Sequence, residues 1–136
     1  MENQGRSAEE LVGRYLEALR RGRVVDALDV FATDAVVRDE RGIEHRGIRE
    51  IAASFVKLRR PKKVELVALD RAGDTTVAIV DIRGDENTAP ERFRETFEVR
   101  EGRVRTLTLE ALGGGRPRAT RKGVAPAQRR PMVSRA

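Results

Sequence analysis

A chain of 136 residues, 39% hydrophobic and 37% charged, has the size of one domain with one core. It lacks cysteine, any apolar run near the roughly 18 residues of a membrane span, and a basic-then-apolar start in MENQGRSAEE. Those features exclude disulfides, thiolate nucleophiles, thiolate metal sites and a helical membrane protein, and they set a cytoplasmic protein as the expectation. The net charge of +6 is not a property of the body: residues 113–136 hold seven bases and no acid, and removing those seven from the chain's 28 leaves 21 bases against 22 acids.

Ser7-Ala-Glu-Glu10 has the form of a capping box, in which the serine hydroxyl and the glutamate carboxylate satisfy each other's orphan amides. Leu11, Val12, Tyr15, Leu16 and Leu19 follow at helical spacing, and Gly22 is a helix stop. A second, shorter helix is expected over Val24, Leu28 and Phe31, ending before Thr33-Asp34. A strand from Ala35 to Asp39, a turn near Arg41-Gly42 and a brief extended piece over Ile43 to His45 come next. A third helix starts at Gly47, with Ile48, Ile51, Phe55 and Leu58 on one face, and Pro61 prevents its continuation.

Beyond Pro61 the period becomes alternating. Val64 to Asp70, Thr75 to Arg83, Glu91 to Arg100 and Val104 to Leu112 read as four strands joined by short polar links. Three helices ahead of a meander of long strands make an α+β architecture. Residues 113–136 carry Gly113-Gly114-Gly115, three of the five prolines and no apolar periodicity, the composition of a disordered tail. Such a tail either stays solvated or touches polyanions through non-specific charge; without an aromatic residue it has nothing on which to stack bases. No specific nucleic-acid partner is expected. Only four of the 28 basic residues are lysine, a usage consistent with a GC-rich bacterial source.

Strand phase separates the carboxylates. Glu95 shares a face with Phe93, Phe97 and Val99, so burial should raise its pKa and leave it neutral and able to donate a hydrogen bond. The alternative is a structural carboxylate paired with Arg14 or Arg49. Asp39 shares its face with Ala35 and Val37, whereas Asp34 and Glu40 read as solvated turn residues. Tyr15 lies on the buried stripe of the first helix, where ordinary packing is the plainer role. His45, the one histidine, sits in a polar stretch as a rim residue or a base at a pocket mouth. Asp81 alternates with Val77 and Ile79 and is expected to face inward as a reserve acid, with Arg83 in phase to neutralise it. A single histidine and no clustered carboxylates give no metal site.

The element order and the passages YLEALRRGRVVDALDVFATDAVVRDERGIEHRGIREIAASF and FEVREGRVRTLTLEAL resemble the nuclear transport factor 2-like superfamily, which includes the SnoaL-like polyketide cyclases and the ketosteroid isomerases. The likeness spans about residues 7 to 112, which sets the domain at 1–112 and the tail at 113–136. It implies a cone-shaped, curved antiparallel sheet wrapped by three N-terminal helices, without a cofactor, and commonly a homodimer. Leu107, Leu109 and Ala111 are the outward residues expected to make the dimer contact. It also implies a pocket for an apolar small molecule, with Phe55, Phe93, Phe97 and Asp81 against the ligand. Matched position by position, Asp39 falls where the isomerases carry their catalytic base, and Tyr15 and Glu95 where they carry two oxyanion donors. The longer Glu95 departs from an aspartate, and 4% aromatic content leaves few rings for a steroid-sized wall. The same superfamily holds non-catalytic binding and dimerisation modules, so the fold implies no single activity. An epoxide hydrolase is disfavoured, because the only asparagines, Asn3 and Asn87, lie at the terminus and in a loop.

Overall fold

The computed structural model describes residues 7–55, 60–84 and 87–113. The first helix, α1 (Ala8–Arg21), begins with the capping box: the Ser7 hydroxyl accepts from the Glu10 amide at 3.1 Å, and the Glu10 carboxylate accepts from the Ser7 amide at 2.9 Å. It ends at Gly22, whose φ of 67° is a left-handed conformation that costs a residue without a Cβ little. Ser7→Ala removes one half of this reciprocal cap and should lower unfolding free energy by about 1 kcal/mol, read as a lower urea midpoint at unchanged slope.

The second helix, α2 (Val24–Leu28), is shorter than its apolar pattern suggested, and Phe31 opens a strand instead of closing the helix. The strand β1 (Phe31–Arg38) contains the Thr33-Asp34 break as an irregularity, because its pairing register with the last strand shifts between Phe31 and Val36. That extra length lets Phe31, Ala35 and Val37 all reach the core while Asp34 stays outside, paired with Arg105 at 3.3 Å. A hairpin leads to β2 (Glu44–Arg46), then α3 (Gly47–Ser54). Leu58 lies outside the described residues, as does the basic tail from residue 114 onward.

Four long strands follow: β3 (Lys63–Ala72), β4 (Thr75–Arg83), β5 (Glu91–Arg100) and β6 (Arg103–Ala111). They join β1 and β2 in a six-stranded, curved, unclosed sheet of order β2-β1-β6-β5-β4-β3. Pairing is antiparallel except between β1 and β6, which run parallel because the whole meander intervenes as a crossover. The stripe of α1 packs on the inner face of the sheet, where Leu11, Val12, Tyr15, Leu16 and Leu19 meet Ala78, Val80, Phe97, Val104 and Leu107. Tyr15 stands at the centre of a ring cluster, with Phe97 at 5.7 Å, Phe31 at 5.9 Å and Phe55 at 6.2 Å between centroids.

Cross-strand pairing fixes which face is inside, and it corrects the expected placement of four residues. Residues opposite each other share a face. Leu107 pairs with Phe97 and Leu109 with Glu95, so both leucines point inward, Leu107 fully buried, and Ala111 pairs with Phe93 in the same phase. None of the three is available on the outer face for a dimer contact. On β4 the inward set is Thr76, Ala78 and Val80, and Asp81 therefore lies on the outer face with Val77 and Ile79.

Candidate functional site

Between α1, the β1–β2 hairpin, the end of α3 and the inner face of β4 to β6 lies a cavity of about 570 Å³. Its apolar wall is Leu19, Val37, Phe55, Ile82, Phe93 and Leu109. Its polar wall includes Tyr15, Asp39, His45 and Glu95, with Glu40, Arg41, Lys62 and Glu91 also lining it. Three residues singled out on separate elements, Tyr15 in α1, Asp39 after β1 and Glu95 in β5, thus line one space. Phe55 and Phe93 line it too.

Two of the expected ligand-facing residues do not. Phe97 is fully buried beneath the Tyr15 ring, where it fills the core and is not among the cavity-lining residues. Asp81, on the outer face, makes a two-pronged ion pair with the Arg92 guanidinium at 2.7 and 2.9 Å. The two are direct partners across β4 and β5, which is why Arg92, and not Arg83, supplies the hydrogen bonds. Those bonds, against partial burial, hold the Asp81 carboxyl below its ordinary range.

Glu95 is 2% exposed, and among the described residues its Oε1 has no hydrogen-bond partner. Arg14, one of the two arginines that would make it structural, reaches Asp29 instead, at 3.0 Å. Burial alone pushes the Glu95 carboxyl up to about 8, so at neutral pH it is a protonated acid with an O–H to donate. Burial, with Glu95 close by, also pushes the Tyr15 hydroxyl well above its ordinary value, and it remains a donor throughout the physiological range.

Asp39 is the opposite case. Its Oδ1 accepts from the backbone amides of Arg41 at 2.9 Å and Ile43 at 3.0 Å; its Oδ2 accepts from the Arg41 guanidinium at 3.1 Å and lies 3.0 Å from His45 Nε2. Partial burial pushes its carboxyl up, but the bonds from His45, Ile43 and Arg41 outweigh that and hold it well below the usual carboxylate range. The turn is built for this: an aspartate accepting from amides two and four residues on closes the β1–β2 loop, with Gly42 at φ 82°. Arg41 is the participant that sequence reasoning missed, while His45, expected as a rim residue or a base at a pocket mouth, lines the cavity. Their signal was the hairpin itself, because Val37 pairs with His45 and so carries the histidine to the cavity side.

Comparison with known proteins follows the same outline. A family model described as the SnoaL-like domain matches residues 12–107. No curated protein matches the chain significantly. Among solved structures, a Sinorhizobium meliloti protein proposed to be a polyketide cyclase is similar at 24% identity, over 74% of this chain and 94% of that one, with a TM-score of 0.64. A Catenulispora acidiphila protein with a ketosteroid isomerase-like fold, in complex with trimethylamine, is similar at 15% identity, over 76% and 85%, with a TM-score of 0.65. An epoxide hydrolase of M. tuberculosis is similar at 17% identity, over 74% and 79%, with a TM-score of 0.62. At such identities the likeness carries the fold and leaves the chemistry to the residues of this cavity.

Proposed function

Since the chain belongs to the SnoaL-like domain family, we propose that it is a small-molecule pocket protein that moves protons on an apolar carbonyl compound without a cofactor, as an isomerase or cyclase. One observation carries the reading: the buried Glu95 carboxyl, whose Oε1 has no hydrogen-bond partner among the described residues, lines the cavity that Tyr15 also lines. Burying a carboxyl without a partner costs stability. Two neutral donors lining one cavity suit one task well, which is to hold the oxygen of a carbonyl as it becomes an enolate. The proton itself would be handled around Asp39, which lines the same cavity. A volume of about 570 Å³ lies in the ordinary range for small-molecule sites.

A second reading, a non-catalytic ligand-binding or dimerisation module, is favoured by one feature: both oxygens of Asp39 are already occupied by donors. Heavy water separates the two. Incubated in it with a panel of α-acidic ketones and enones, the protein should speed deuterium entry at the carbon next to the carbonyl, followed by proton NMR. Binding of the same ketones with exchange no faster than in buffer would leave the binding-module reading in its place. A homodimer, a cytoplasmic location and loose contact of the basic tail with polyanions complete the proposal. No helix among the described residues is long and apolar enough to cross a membrane.

A further inference from the structure

The saturation of Asp39 raises the question of which atom takes the proton. An ionised carboxylate offers about four lone-pair sites, two on each oxygen. Here two donors approach each oxygen, at 2.9 to 3.1 Å, from Arg41, Ile43 and His45. To accept a proton from carbon, Asp39 would first have to give up one of these bonds. His45 faces no such obstacle. A carboxylate only accepts, so the contact at 3.0 Å requires the hydrogen to sit on Nε2. In the neutral ring that leaves Nδ1 with its lone pair, and among the described residues the contact with Asp39 is the ring's only hydrogen bond. The ring is 18% exposed and lines the cavity.

The geometry points to His45 as the catalytic base of this site, acting through Nδ1, with Asp39 as the residue that positions its ring and fixes its tautomer. The assignment rests on the proton-transfer reading above. In the step, the Nδ1 lone pair takes the proton from the carbon next to the carbonyl. The electrons of that C–H bond move into the enolate, whose oxygen receives hydrogen bonds from Tyr15 and Glu95. The imidazolium, steadied by the Asp39 carboxylate, then returns the proton to the same carbon, giving exchange, or to the far end of a conjugated system, giving isomerisation. The titratable groups sharing the cavity with the ring are Asp39, Glu40 and Arg41 in its own hairpin, Lys62 ahead of β3, and Glu91 and Glu95 on β5, with Tyr15 on α1. On α3, Glu50 is turned instead to the Arg46 amide at 2.7 Å.

Because the chain holds a single histidine, its ring nitrogens give unambiguous ¹⁵N NMR signals in the intact protein. The neutral ring should carry its hydrogen on Nε2; a neutral ring with its hydrogen mainly on Nδ1 would overturn the inference without recourse to any variant. The second measurement follows deuterium entry into 2-tetralone. His45→Gln should slow exchange by about 10²- to 10⁴-fold. Asp39→Asn should slow it less and should leave the ring as a mixture of Nε2–H and Nδ1–H tautomers in the ¹⁵N spectrum, since the carboxylate that requires the Nε2 hydrogen is gone. Exchange by His45→Gln within about threefold of wild type, or silence of Asp39→Asn alone, would make Asp39 the base and end the assignment to His45. No exchange of any ketone by the wild type would instead overturn the proton-transfer reading, and the base with it.

Discussion

Glu95→Gln should stabilise the folded chain by about 3 kcal/mol at pH 7 and remove most of the pH dependence of unfolding between roughly pH 4.5 and 8. In the unfolded chain the Glu95 carboxyl ionises near its ordinary 4.5; in the folded protein burial holds the proton until about pH 8. Below the lower value both states are protonated, and the group is neutral in its effect on stability. Between the two values the folded state binds more protons than the unfolded one, so stability falls as pH rises, by about 1.4 kcal/mol per pH unit. Above about pH 8 both states are ionised and the loss, roughly 5 kcal/mol in all, is complete. Glutamine has the same shape, keeps a donor and an acceptor, and has no proton to lose. Urea titrations at pH 4.5, 6, 7 and 8 should therefore show wild-type and variant curves that meet at the acid end and diverge steadily towards the basic end. Asp39 does not confuse this window, because its folded-state value is depressed and its contribution is lost only as pH falls below its unfolded value. A wild-type curve that stayed flat or rose through the window would mean that Glu95 has a cationic partner, and the neutral donor would not exist. The expected cost is also informative about purpose. A fold that gives up about 3 kcal/mol at neutral pH to keep an acid inside is using that acid for something a glutamine, or a leucine, would not do.

How much of this could be read from the chain differs residue by residue. The capping box at Ser7, the stop at Gly22 and the stripe of α1 depend on contacts within a few residues, and the local pattern identified them. The β4 and β5 bounds followed from alternation in the same way. Alternation, however, divides a strand into two faces without saying which is inside. For β5 the answer came from Phe93 and Phe97, which made Glu95 inward. For β4 the set Val77, Ile79 and Asp81 looked equally apolar, yet the inner set is Thr76, Ala78 and Val80, small and medium residues that leave room for the α1 stripe. The same ambiguity misplaced Leu107 and Leu109, although pairing β6 against β5 antiparallel would have set them opposite Phe97 and Glu95. The clasp of Asp39 by Arg41, Ile43 and His45 was less legible still. It depends on the conformation of one tight turn, and nothing in the order of those residues distinguishes a saturated carboxylate from an open one.

Tyr15→Phe should lower the rate of deuterium entry into a bound ketone by about 10²- to 10³-fold while leaving stability nearly unchanged. The ring contacts with Phe31, Phe55 and Phe97 survive the substitution, since they belong to the ring and not to the hydroxyl. What is lost is a donor whose own pKa is pushed well above ordinary by burial, and which is therefore always protonated when a substrate oxygen arrives. A ground-state carbonyl oxygen is a weak acceptor and an enolate oxygen a strong one, so the loss should fall on kcat, with ketone affinity changed by less than about tenfold. The companion variant Glu95→Gln keeps a donor at the second position but replaces an acidic O–H with an amide N–H, and it should cost less than Tyr15→Phe. Because both donors would serve one oxygen, the double variant should lose less than the product of the two single losses. Multiplicative losses would mean two oxygens or two separate roles. A Tyr15→Phe protein that exchanges at the wild-type rate would reduce the tyrosine to a core residue, and the enolate would then have only Glu95 to receive it. The extra methylene of Glu95 makes this a real alternative: a longer arm can reach further into the cavity and displace the tyrosine from the oxygen, and the ratio of the two single-variant losses measures which donor bears the charge.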